Sequence, residues 1–310
     1  MTLHKIIDPT YDTGFKLLFG RENVSNEVLK EFLNSLFAGD SELSDIKSVK
    51  YLNTEHSGEW TDGKGIRYDI MCETGSGHRF IVEMQKSWQP YFLKRAAYYV
   101  YRGIAEQGYS GSDEEDKEWN YDVTPVVGVF ICNSFIKGLE KKLVTKSCNI
   151  DEESGKPLDG LARFAFIQLP CFNKTENECE NELEMWIYNL KNMGTTQQVA
   201  FKSHKEIFER LNRISNVATL SPQERRAYEA DIKNARDYHN ELEGARILGR
   251  EEGREEGLAE GRAEGRAEGR SEGEYEEKLR LAREMLKAGI NREMVHNITG
   301  LTDEEITGLF

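Results

Sequence analysis

The segment that most constrains this 310-residue chain runs from Arg67 to Gln85, where two alternating, β-rich runs flank Gly75-Ser76-Gly77. Such runs joined through glycine are a hairpin signal. A turn centred on Ser76 pairs Glu73 with Arg79, Met71 with Ile81, Asp69 with Glu83 and Arg67 with Gln85. Directly opposed residues have Cβ atoms about 4.5–5.5 Å apart, and like charges there are destabilising unless neutralised. A divalent cation between Asp69 and Glu83 would do that. Alternation also places Glu83 and Gln85 on one strand face, with Val82 and Met84 on the other. The unit reads as Asp, a hairpin, then Glu-x-Gln. On spacing alone, both acids could equally be exposed strand residues paired with Arg67 or Arg79.

The hairpin sits in an ordered series. It starts with Asp8-Pro9-Thr10-Tyr11-Asp12-Thr13-Gly14-Phe15-Lys16-Leu17-Leu18-Phe19-Gly20 and the apolar helix Val28 to Phe37. It continues through Val49-Lys50-Tyr51-Leu52-Asn53, Arg67-Tyr68-Asp69-Ile70, Phe80-Ile81-Val82-Glu83-Met84-Gln85 and Lys94-Arg95-Ala96-Ala97-Tyr98-Tyr99. Over about the first 110 residues this series resembles the bacterial recombination-promoting nuclease and transposase family, within the PD-(D/E)xK nucleases.

The resemblance implies an α/β fold with a PD-(D/E)xK restriction-endonuclease-like core in the order αβββαβ, followed by a helical C-terminal region. It implies metal-dependent hydrolysis of DNA phosphodiester bonds. Asp69, Glu83 and the Met84 carbonyl would bind Mg²⁺ or Mn²⁺, and Gln85 would assist the attacking water. PD-(D/E)xK nucleases at large usually have Lys where Gln85 stands, and the Glu-x-Gln ending is part of what narrows the resemblance to this family. An amide can orient water but supplies no charge. Lys94 or Arg95 on the next helix is then the surrogate cation, and Glu27 or Glu31 a candidate extra carboxylate. Lys86, Lys94, Arg95 and Arg102 are the DNA-contact candidates. The missing charge also admits an alternative, a weak or inactive DNA-binding or oligomeric assembly protein on the same fold.

Charge limits how DNA could be held. The chain carries a net −14, but residues 1–110 are nearly neutral, with 13 Lys and Arg against 15 Asp and Glu. Backbone affinity comes mainly from Lys and Arg, so contact should be local and salt-sensitive. No apolar run approaches a membrane span, and Met1-Thr2-Leu3-His4-Lys5 lacks a signal peptide's apolar segment. The expectation is a cytoplasmic protein whose five cysteines are reduced, none close-spaced for zinc.

The expected organisation is a nuclease-like domain over 1–170, a helical region over 171–248, a Gly/Glu/Arg repeat helix or linker over 249–275 and a small helical end over 276–310. The acidic stretch Ser112 to Asp122 reads as a solvated loop. From Gly249 to Gly273 a glycine recurs every four residues, seven in all. Each costs a helix about 0.8–1 kcal/mol relative to alanine. Arg flanks this seam on one side and Glu on the other, so a parallel homodimer would set opposite charges face to face; a flexible charged tract is the alternative. At the end, Thr302 and Glu305 form a capping box. Lacking a helix rich in basic or amide side chains, this end reads as a cap or oligomerisation element rather than a DNA reader.

Overall fold

The computed structural model describes residues 6–56, 66–108 and 123–309. The expected acidic loop at Ser112 to Asp122 lies outside them. Two helices open the fold, α1 (Asp12–Phe19) and α2 (Asn26–Leu36). In α2, Val28, Leu29, Phe32, Leu33 and Leu36 are buried, the three-and-four spacing of a helix with one apolar face. Five strand segments follow: β1 (Val49–Tyr51), β2 (Glu55–His56), β3 (Ile66–Arg67), β4 (Ile70–Thr74) and β5 (Arg79–Gln85). Then come α3 (Phe92–Ala105), β6 (Val126–Cys132), β7 (Val144–Cys148) and β8 (Ala162–Gln168).

The main sheet runs β1-β4-β5-β6-β8-β7, and β2 pairs with β3 separately. β5, β6 and β8 are mutually parallel, whereas β1, β4 and β7 join antiparallel. β6 is buried along its whole length, as expected of a central strand covered on both faces. On one face α1, α2, α4 (Glu182–Asn192) and α5 (Glu206–Ile214) close a core that includes Phe15, Phe32, Phe80, Val82, Trp186 and Phe208. On the other, Phe92, Ala96 and Val100 of α3 pack on Ile81, Phe130 and Phe166. Gly128 permits that approach, since a Cβ there would lie 2.6 Å from Val100 Cγ2.

The hairpin has the expected register, with Glu73 opposite Arg79, Met71 opposite Ile81 and Ile70 opposite Val82. The ladder stops at Ile70 and Val82, so neither Asp69 with Glu83 nor Arg67 with Gln85 forms the expected strand pair. Arg67 instead faces Glu55. Its cause is a one-residue slip on the other side of β4. Tyr51 opposes Cys72, whereas two residues past Leu52 the Tyr68 amide donates to Thr54 and Arg67 opposes Glu55. One residue near Asp69 is therefore extra, which is a β-bulge. The bulge also breaks the alternation: Tyr68 and Met71, three apart, share the α3-side core, while Ile70 lies in the opposite one.

The described chain divides into two compact units, Met1–Asn234 and Ala235–Phe310. Helix α6 (Pro222–Lys287) begins in the first, where Tyr228 and Ile232 join the larger core. Its start is the expected one: the Glu224 amide donates to Ser221 Oγ, and the Ser221 amide donates to the Glu224 carboxylate. The glycine tract is helical, fully exposed, and a Cβ on any of its seven glycines would meet nothing within 4 Å. The second unit ends with α7 (Arg292–Thr299) and α8 (Asp303–Thr307), whose Thr302–Glu305 capping box is formed. Ala282, Val295, Leu301 and Ile306 make its small core. No helix among the described residues is long and apolar enough to cross a membrane. All five cysteines are free.

Candidate metal and nucleic-acid site

The bulge turns Asp69 toward β5, where side chains replace ladder bonds. The Asp69 amide donates to Glu83 Oε1 at 3.0 Å, and the Met84 amide donates to Asp69 Oδ2 at 3.0 Å. Helix α1 adds a cation and a third carboxylate. Lys16 Nζ lies 3.2 Å from Asp69 Oδ1 and 2.8 Å from Asp12 Oδ1, one helical turn back. Asp12 is also in side-chain hydrogen-bonding contact with Asp69.

The electrostatics follow from burial. Burial, and then the contact with Asp12, push Asp69 up to about 6. Burial, and then the Asp69 charge, push Glu83 up to about 8. Burial opposes ionisation of Asp12, but its hydrogen bonds to Asp69 and Lys16 outweigh that and hold it low. Burial likewise opposes the Lys16 charge, yet Asp69 and Asp12 raise its pKa. Two crowded, half-desolvated carboxylates are what a hard divalent cation relieves. Among the described residues there is no group of three or more His, Cys, Asp or Glu arranged to hold a metal ion. Mg²⁺ does not need one, because it is commonly held by one or two carboxylates plus substrate phosphate and water. The donor set of Asp69, Glu83 and the Met84 carbonyl fits such an ion.

Both ends of the Gln85 amide are engaged. Its Nε2 donates to the Ser87 carbonyl at 2.9 Å, and its Oε1 accepts from Arg95. Arg95 also donates to Gln89, and its charge favours the ionised form of Glu83. Gln85 thus brings a guanidinium to the motif position rather than a charge of its own.

The other sequence candidates are elsewhere. Lys94 is exposed and lies over the Tyr91 ring, and Lys86 lies over Tyr11 on the α1 side of the sheet. Arg102 is bound to Glu106 at 2.6 Å. Glu27 and Glu31 pair with Lys30 and add no carboxylate to the site. The further carboxylate near Asp69 is Asp12, which pairs with Lys16. Asp12 and Lys16 belong to the N-terminal signature, whose other members shape the approach. Asp8 Oδ1 accepts from the Thr10 amide and hydroxyl, and a Cβ on Gly14 would strike the Asp8 carbonyl at 2.1 Å.

Residues 9–245 match the family model described as PD-(D/E)XK nuclease family transposase. The chain belongs to this family. PD-(D/E)XK nucleases generally use divalent metals, and the six-stranded α/β unit lies within the matched residues. Residues 275–310 match a second model, the C-terminal HTH domain of the Rpn/YhgA-like nuclease family. The matched stretch is the end of α6 with α7 and α8, so the small helical end expected from the sequence is similar to a helix-turn-helix domain. No curated protein and no solved structure matches the chain.

Proposed function

We propose that this PD-(D/E)XK family member is a metal-dependent DNA endonuclease that hydrolyses phosphodiester bonds. The observation that carries the reading is the half-buried Asp69–Glu83 pair with Lys16 against one acid and Arg95, held by Gln85, beside the other. Asp69, Glu83 and the Met84 carbonyl would hold Mg²⁺ or Mn²⁺. Bound there, such an ion supplies Lewis acidity at phosphorus and lowers the pKa of water. Lys16 keeps Asp69 ionised and its charge within reach of a phosphate oxygen. Arg95 supplies the positive charge that Gln85 lacks, in a planar fork suited to phosphate. Strand transfer is not part of the proposal.

The same reading puts DNA on the first unit. In the helix-turn-helix-like end, the first turn of α8 carries Asp303, Glu304 and Glu305, which disfavours phosphate there. The open glycine seam of α6, with Arg on one flank and Glu on the other, supports a parallel homodimer, and a monomeric mass in light scattering would contradict it. Cytoplasmic residence belongs to this reading as well. The test of function is nicking of supercoiled plasmid in Mg²⁺ or Mn²⁺ that stops in EDTA.

A further inference from the structure

A cleft opens at the carboxyl ends of β5 and β6, beside the acids but lined by other residues. Its volume is about 200 Å³, below the roughly 300–1,000 Å³ of sites for drug-sized ligands. Gln85 forms its edge, Trp88, Tyr91 and Phe135 contribute aromatic surface, and Lys94 and Lys137 stand at its rim. The three aromatic side chains are 54%, 76% and 45% exposed, although such rings normally contribute their large area to cores and interfaces. Tyr91 is held out by its backbone, which adopts φ 61° in the left-handed region, uncommon for a residue with a Cβ. Lys94 lies over the Tyr91 ring and Lys141 over Phe135. Helix α3 begins at this rim without a side-chain cap, leaving its first amides available to an anion.

We propose that this cleft receives an unpaired nucleobase of the DNA strand being cut, stacked on Tyr91, Trp88 and Phe135, with the neighbouring phosphates on Lys94 and Lys137. Aromatic faces interleaved with cations are how single strands are held without regard to sequence. A duplex keeps its bases stacked inside, so the cleft selects frayed ends, flaps, gaps or single strands. It also answers a difficulty of charge. A chain of net −14 gains little from general attraction to DNA, and stacking supplies affinity that does not depend on it. The identity of the substrate rests on the nuclease reading above, but the binding surface is separate from the acids.

The test is binding in EDTA, where no cleavage is needed, by fluorescence anisotropy of a labelled oligo-dT strand. The comparisons are a strand of equal length made of abasic residues and a blunt duplex. Oligo-dT should bind roughly fivefold or more tighter than either, with Tyr91→Ala and Phe135→Ala each weakening it by a similar factor, as loss of one stacked base does. Tyr91→Phe, which keeps the ring, should bind like the wild type. Equal affinity for intact and abasic strands, no measurable binding of oligo-dT, or unchanged binding in both alanine variants would overturn the proposal. These side chains are exposed, so the variants should fold, which circular dichroism checks. Selective binding without metal-dependent cleavage would remove the nuclease reading and leave the base site. Cleavage with equal binding of the abasic strand would do the reverse.

Discussion

Asp69 and Glu83 are joined through the main chain: the Asp69 amide donates to Glu83 Oε1, while Asp69 Oδ2 accepts the next amide of the partner strand, that of Met84. The two acids therefore substitute for ladder bonds that the bulge at Asp69 removes. Their carboxylates are oriented by backbone before any ligand arrives, the kind of preorganisation that electrostatic catalysis uses. Several measurable consequences come from this pair and its neighbours.

The first concerns pH. Asp69 and Glu83 have raised pKa values, about 6 and about 8, in the fold. A raised value stabilises the native state below the unfolded pKa, and that stabilisation is lost as pH rises through the folded value. In EDTA, melting temperature should drop between about pH 6 and pH 8 more in the wild type than in Glu83→Gln. At pH 8 the variant should melt several degrees higher, since each kcal/mol relieved is worth about 2–4 °C in a domain of this size. Added Mg²⁺ should narrow the gap. Parallel melting curves for the two proteins across this range would contradict the assignment.

Lys16 touches both Asp12 and Asp69. Lys16→Met should lower the cleavage rate by about a hundredfold or more, the scale of losing one well-placed electrostatic group. Single-turnover kinetics at saturating DNA would show it as a loss of rate rather than of affinity. A rate within threefold of wild type would remove Lys16 from the chemistry.

Gln85 holds Arg95. Gln85→Lys sets two cations against each other beside Glu83, so activity should drop about tenfold. Combining it with Arg95→Gln should recover most of that loss, and the double-mutant cycle measures the coupling. A gain of activity in Gln85→Lys alone would mean that Arg95 is not the substitute charge.

Helix α1 lacks a side-chain cap of its own, and Asp231 on α6 takes that part by accepting the Thr13 amide at 2.8 Å. Asp231→Ala should cost about 0.5–2 kcal/mol in urea unfolding, the usual range for a lost cap. It should also lower cleavage under fully folded conditions, because Asp12 and Lys16 ride on this helix. Unchanged stability and rate together would show that α6 does not position α1.

Much of this arrangement was legible in the sequence, for local reasons. Turn chemistry fixed the hairpin register, so Met71 and Ile81 could be paired from spacing. The bulge could not be read, because one extra residue near Asp69 changes no residue type, and the expected pairing of Arg67 with Gln85 failed there. Asp12 and Lys16 share a helical face at i, i+4, a visible sign, but their approach to β4 depends on how α1 packs. Glu27 and Glu31 had the right chemistry, yet Lys30 engages both. Strand β7 was also missed. Its Thr145, Lys146 and Ser147 break the apolar pattern, as suits an edge strand that must not pair further.

The most direct test of the central claim is to follow supercoiled plasmid with the wild type and Asp69→Asn side by side, in Mg²⁺, Mn²⁺ and EDTA, scoring nicked and linear forms. Replacing the carboxylate by its isosteric amide keeps an acceptor for the Met84 amide and removes the charge. The account predicts metal-dependent nicking by the wild type, none in EDTA, and a loss of at least about a hundredfold in Asp69→Asn. Cleavage that persists in EDTA, equal cleavage by the two proteins, or none by the wild type in either metal would contradict it.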